Sequence, residues 1–143
     1  TRPRSLAVGL NDSPLGLASW IVDRFHSWSD AGDDMSRGFT KDELLTNIML
    51  YWVTQTIGPS MLNYFAEARS PSLTPNERVT VPVALALFPK DASGIPPRSL
   101  AEHTLNVQRW TEMPRGGHFA ALEEPELFSH DVVEFFRSLK PAR

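Results

Sequence analysis

The sequence predicts an α/β fold in which two strand and helix units follow a wholly helical region, and three observations point to it. Residues 77–143 alternate apolar runs with helical patterns, and Val79 to Phe88 is close to continuously apolar, as a parallel strand buried on both faces would be. Residues 1–76 carry helical spacings joined by polar loops. Between the two regions, Ser70-Pro71-Ser72-Leu73-Thr74-Pro75-Asn76 brings together prolines and small polar residues that stop a helix arriving from Tyr64.

The elements follow in order. Ser13 before Pro14 marks a helix start, because a serine hydroxyl caps a free N–H and proline has none to lose in the first turn. The helix is expected from Pro14 to Trp28, with Leu17, Ile21, Phe25 and Trp28 as its buried stripe. The acidic, glycine-bearing stretch 29–38 reads as a solvated loop, since calcium loops need a stricter alternation of oxygen ligands. Thr40 with Glu43 spells a capping box that opens a helix to about Ile57. That helix is apolar nearly all round from Ile48 to Val53 and must be covered on several sides. Pro59 begins another helix, to about Arg69.

In the second region, Pro82 argues against a central strand position, since it cannot donate to a ladder. A short helix is expected from Arg98 to Thr104 and a second strand from Val107 to Met113. Pro125 opens the last helix, with Glu123, Glu124 and Glu126 at its positive end and Phe128, Val132, Phe135, Phe136 and Leu139 on its core face.

Composition narrows the function. The 143 residues amount to one small domain, and 41% hydrophobic residues suffice for a core. A formal charge of −3 with scattered Lys and Arg argues against nucleic acid as a partner. The chain has no Cys, so disulfides and thiolate metal sites are excluded. No apolar stretch approaches the roughly 20 residues needed to span a bilayer, and Thr1 to Arg4 is no signal peptide. A soluble, cytoplasmic chain is the expectation.

Two segments carry chemistry. Phe88-Pro89-Lys90-Asp91 places a carboxylate just after the first strand, and Arg115-Gly116-Gly117-His118-Phe119-Ala120-Ala121-Leu122-Glu123-Glu124-Pro125-Glu126 places a histidine in a glycine loop that opens onto a helix. By itself a histidine between glycines is an ordinary loop residue, and Asp91 beside Lys90 and Ser93 is an ordinary turn residue. Their order and placement match the acid and histidine of an α/β-hydrolase triad. No strand, elbow and nucleophile precede them.

Together with Asn11-Asp12-Ser13-Pro14-Leu15-Gly16-Leu17-Ala18-Ser19-Trp20-Ile21 and Leu44-Leu45-Thr46-Asn47-Ile48-Met49-Leu50-Tyr51-Trp52, this run resembles the microsomal-type epoxide hydrolases over nearly the whole chain. The resemblance implies the C-terminal part of an α/β-hydrolase fold, its last two strand and helix units, at 77–143, preceded by helical cap segments at 1–76. It places the nucleophilic aspartate, the early strands and one cap tyrosine before Thr1.

The chemistry implied is addition of water to an epoxide through an ester intermediate, giving a vicinal diol with neither metal nor organic cofactor. His118 matches the base that activates water, suited by an imidazole pKa near 6.5. Asp91 matches its orienting carboxylate, where many members have glutamate; Glu102 and Glu112 are the next candidates. Tyr64 matches the cap tyrosine that donates to the epoxide oxygen, with Tyr51 as fallback. Trp52, Met49 and Phe65 are candidates to line the cavity.

Other residues have structural readings. His26, His103 and His130 read as surface residues, Gly116 and Gly117 as turn formers, and Glu123 and Glu124 as caps of the last helix. The expected partners are a small epoxide and, to cover the cap and the first strand's open edge, the family's N-terminal part or a second copy. Two alternatives stay open: another α/β-hydrolase, such as a haloalkane dehalogenase or esterase, and a noncatalytic remnant.

Overall fold

A computed structural model describes residues 2–67, 69 and 77–139. The boundary at 70–76 lies outside the described residues. The chain forms helices α1 (Pro3–Asp12), α2 (Pro14–Trp28), α3 (Lys41–Thr54) and α4 (Ile57–Glu67), then strand β1 (Val79–Leu87). Helix α5 (Arg98–Thr104), strand β2 (Leu105–Glu112) and helices α6 (Ala120–Glu123) and α7 (Pro125–Ser138) complete it.

Local chemistry sets most boundaries. The Ser13 Oγ accepts from the Gly16 N–H at 3.0 Å, so α2 begins where Ser-Pro predicts. Both halves of the Thr40–Glu43 capping box form at the head of α3. That helix ends three residues before the expected Ile57, because Gln55 turns into the left-handed region at φ 54° and donates back to Trp52 and Tyr51 carbonyls. Helix α4 then starts at Ile57, with Pro59 inside its first turn, where a missing donor costs little. Helix α1 carries Pro3 in its first turn and no side-chain cap, and was not foreseen as a separate element.

The principal core lies in the helical region. Leu10, Leu17, Ile21, Phe25, Ile48, Ile57 and Met61 are buried together, and Trp28 is half-buried at the end of the α2 stripe. Only Ile48 of the α3 apolar belt is buried; Leu50 and Val53 are 61% and 69% exposed, so the described residues do not supply the expected cover on several sides.

Strands β1 and β2 form a two-stranded parallel sheet with Leu85 opposite Trp110. With one neighbouring strand, β1 is half-buried or exposed along most of its length, not buried on both faces as its composition suggests. Pro82 sits beside a register shift, which accommodates its missing donor. Helix α7 also departs from expectation. Of its predicted core face only Phe135 is buried, and Phe136 is 60% exposed. The other buried residue is Asp131, which accepts from Arg109 Nε at 2.7 Å and Thr111 Oγ1 at 2.8 Å.

Candidate active site

The carboxyl ends of two parallel strands are a natural place for a site, because the loops leaving them lie side by side. Here Met113 N–H donates to Leu87 O at 2.8 Å and Lys90 N–H to Gly116 O at 3.1 Å, so the Asp91 and His118 loops run together beyond the sheet. Asp91 is fixed by its own turn. Its Oδ1 accepts from the Ser93 N–H at 2.8 Å and from the Ser93 hydroxyl, and its carbonyl takes the Gly94 N–H at 3.0 Å. Gly94 closes that turn at φ +74°.

The two predicted residues meet. His118 Nδ1 and Asp91 Oδ1 are 3.2 Å apart, so a proton on Nδ1 donates to the carboxylate and Nε2 keeps its lone pair. Aspartate, though shorter than glutamate, reaches. Burial of Asp91 opposes its charge, but the Ser93 hydrogen bonds and then the His118 ring outweigh it and hold the carboxyl below its ordinary value. Glu102 instead accepts from Arg98 Nε at 2.7 Å on α5, and Glu112 is exposed at the end of β2. His26, His103 and His130 are all exposed.

Four consecutive backbone N–H groups around His118 each find an acceptor. Gly116 donates to Asp30 Oδ2 at 3.0 Å, Gly117 to Glu123 Oε2 at 3.1 Å, His118 to Trp28 O at 2.8 Å and Phe119 to Glu123 Oε1 at 2.8 Å. Glu123 Oε2 also accepts from the Asp30 N–H at 2.6 Å.

Asp30 is therefore not a residue of a purely solvated loop. Glu124 occupies the N-cap position of α7, but neither it nor Glu123 caps that helix with its side chain; the Glu124 carboxylate pairs with Arg115 at 2.7 Å. The glycines serve two needs. Gly116 adopts φ +104°, and a Cβ on Gly117 would lie 2.7 Å from Trp28 O.

Trp28 and Phe119, whose rings flank the imidazole, also line a cavity of about 490 Å³, with Trp20, Arg24, Tyr51 and Tyr64 among others; His118 and Asp91 are not among its lining residues. Trp28 and Phe119 present their rings edge-on to the imidazole, with centroids 5.1 and 5.3 Å away. Tyr64, from α4, is half exposed on this wall, and Tyr51 joins it from α3. Trp52, Met49 and Phe65 are not among its lining residues. Trp52 packs against the helical core, Met49 is 49% exposed, and the Phe65 ring carries the Arg69 guanidinium at 3.9 Å. The wall that the sequence did not suggest comes from α2. There the Arg24 guanidinium lies over the Trp20 and Trp28 rings at 4.6 and 5.2 Å.

Among the described residues no helix is long and apolar enough to cross a membrane, and no group of three or more His, Cys, Asp or Glu could hold a metal.

No family model matches the chain. Epoxide hydrolase 1 of Oryctolagus cuniculus is 35% identical over 145 residues, covering 94% of the chain and 32% of that protein. Juvenile hormone epoxide hydrolase 2 of Ctenocephalides felis is 41% identical over 141 residues, 92% of the chain and 30% of the relative. The chain thus spans about a third of the length of the curated relatives it matches.

Among solved structures, the juvenile hormone epoxide hydrolase of the silkworm Bombyx mori superposes with a TM-score of 0.80 at 31% identity, over 99% of the chain and 39% of its own. Aspergillus niger epoxide hydrolase gives 0.81 at 28% identity, over 98% and 34%. Sequence and fold together identify the chain as a homologue of epoxide hydrolases of the α/β-hydrolase superfamily, matching their C-terminal portion.

Proposed function

We propose that the chain carries the water-activating half of an epoxide hydrolase site, with residues 1–76 acting as part of its cap and 77–143 as part of its hydrolase core. The observation that supports this most directly is the 3.2 Å contact of His118 Nδ1 with Asp91, with Trp28 and Phe119 joining the imidazole to the cavity that Tyr51 and Tyr64 line.

In this reading a carboxylate nucleophile from polypeptide outside these 143 residues attacks an epoxide carbon. The C–O bond opens, and the oxygen takes the Tyr64 phenolic proton, leaving a hydroxyalkyl ester. A phenol suits this step, being protonated at neutral pH yet able to hold a developing alkoxide. His118 Nε2 then removes a proton from water as the oxygen attacks the ester carbonyl. Asp91 steadies the imidazolium that forms. As the tetrahedral species collapses, the departing alkoxide takes the imidazolium proton to complete the diol, and the carboxylic acid that forms returns its proton to the Tyr64 phenolate, so the sum is epoxide plus water to vicinal diol.

The test is a chimera in which this chain replaces the matching third of the rabbit enzyme, assayed for diol formation from an aryl epoxide. Activity that disappears in His118→Gln supports the reading. A folded chimera with no activity, or one indifferent to that substitution, refutes it, and diol formation by the 143 residues alone refutes the external nucleophile.

A further inference from the structure

A triad histidine has to be aimed, and side-chain contacts alone rarely aim a residue in a glycine loop, because each glycine leaves its backbone free to turn. The loop bearing His118 has two glycines before it and depends on its backbone hydrogen bonds for direction. Three of the four N–H groups from Gly116 to Phe119 end on carboxylate oxygens, two on Glu123 and one on Asp30. Such charge-assisted bonds are stronger than neutral ones.

Glu123 reaches back from α6 to both neighbours of His118 and, with the same Oε2 that takes the Gly117 N–H, across to the backbone of Asp30. Asp30 answers through its own carboxylate on Gly116. The His118 loop is thereby tied to the segment that leaves α2, the helix whose Trp20 and Trp28 form one wall of the cavity.

We propose that Glu123 and Asp30 are positioning residues for His118, two carboxylates that hold the loop backbone so that Nδ1 meets Asp91 and the imidazole keeps its place against the α2 wall. This rests on the reading of His118 as the base, but its geometric content can be measured without turnover. Glutamine has one carbonyl oxygen and can serve only one side of the clamp, whereas alanine serves neither. Asp30→Asn keeps an acceptor for Gly116, and Asp30→Ala removes it.

The experiment is nitrogen-15 NMR of the His118 imidazole in the 143-residue chain, assigned with His118→Asn, alongside thermal unfolding. In the parent chain the Nδ1–H tautomer should dominate, and Asp91→Asn should abolish that preference. Glu123→Gln should move the tautomer ratio toward the Asp91→Asn value by about tenfold, equivalent to ~1.4 kcal/mol. Glu123→Ala should move it further, and Asp30→Ala in the same direction. Leu10→Ala, in the core on α1, should lower the melting temperature and leave the ratio alone.

A Glu123→Gln chain that melts earlier but keeps the parent ratio overturns the proposal, leaving Glu123 a stabilising residue only. Should Glu123→Gln not fold, Asp30→Ala decides by the same ratio. A ratio unchanged in Asp91→Asn refutes the Asp91–His118 pairing itself, which separates failure of the site reading from failure of the clamp.

Discussion

The ring of Phe119 lies flat on that of Phe25, with centroids 4.0 Å apart and planes 3° from parallel. Phe39 meets both rings edge-on, at 4.9 Å from Phe25 and 6.1 Å from Phe119. Phe119 follows His118 in the chain, and Phe25 is buried in α2. This stack is the apolar counterpart of the carboxylate clamp, and it seats the histidine loop in the helical core.

Phe119→Ala should therefore both destabilise the chain and loosen the site. Removing a core phenylalanine costs about 3–5 kcal/mol, and a half-buried ring belongs at the lower end. Urea unfolding measures the loss; a change within ±0.5 kcal/mol would mean that the stack carries little energy.

Gly117 and Gly94 should separate on substitution. At Gly117 a Cβ would run into the backbone of the 28–30 segment, Trp28 O at 2.7 Å, Ser29 Cα at 2.8 Å and Asp30 N at 2.9 Å. Gly94 has φ +74° but open space around it. Gly94→Ala should cost only the left-handed penalty of about 1–2 kcal/mol. Gly117→Ala should cost more, since backbone must move, and should shift the His118 resonances. Equal losses would contradict the close approach.

Asp91 sets a pH dependence whose sign follows from its lowered pKa. The Ser93 and His118 hydrogen bonds overcome the burial penalty, so the folded value lies below the unfolded one, about 3.9. Its contribution to stability is complete above that value and fades as pH falls through the folded pKa. The stability gap between the parent chain and Asp91→Asn should narrow as pH falls below about 4. Unfolding curves at several pH values test this, and a gap that widens in acid has the wrong sign. In the chimera the same substitution should cut turnover on the order of 10²–10⁴-fold, as loss of an orienting carboxylate does.

Tyr64→Phe should lower kcat of the chimera more than Tyr51→Phe, by on the order of 10²-fold, with KM nearly unchanged, because the phenol acts as the oxygen becomes an alkoxide. The reverse order would move the donor role to Tyr51.

Asp131 is 4% exposed and shared by Arg109 and Thr111. Arg109→Met leaves that carboxylate buried with one partner and should cost up to about 3–5 kcal/mol, less to the extent that water reaches the vacated space. The double variant Asp131→Leu/Arg109→Met should recover most of the loss, since removing both partners of a buried pair is often neutral. Failure to recover would mean the pair is net stabilising.

Much of the chain was legible because it depends on neighbours three or four residues away. The Ser13 and Thr40 caps, the Arg98–Thr104 helix and the Pro125 start all rest on such local bonds. The order of Asp91 and His118 after successive strands could likewise be read along the chain. Burial could not. The expected cover of β1, of the α3 belt and of Phe136 depends on what packs against each face, and apolar character does not name a neighbour.

Nor could the clamp be read, although an acidic residue one turn after a histidine loop was there to see. Glu123 pairs with Asp30 across 93 positions, and Gly116 with Asp30 across 86. A carboxylate has the same propensity whether it caps its own helix or a distant loop. Sequence determined the local elements and the chemical types at the site; the tertiary structure alone decided which N–H groups those carboxylates serve, because hydrogen-bond partners are chosen by proximity in space.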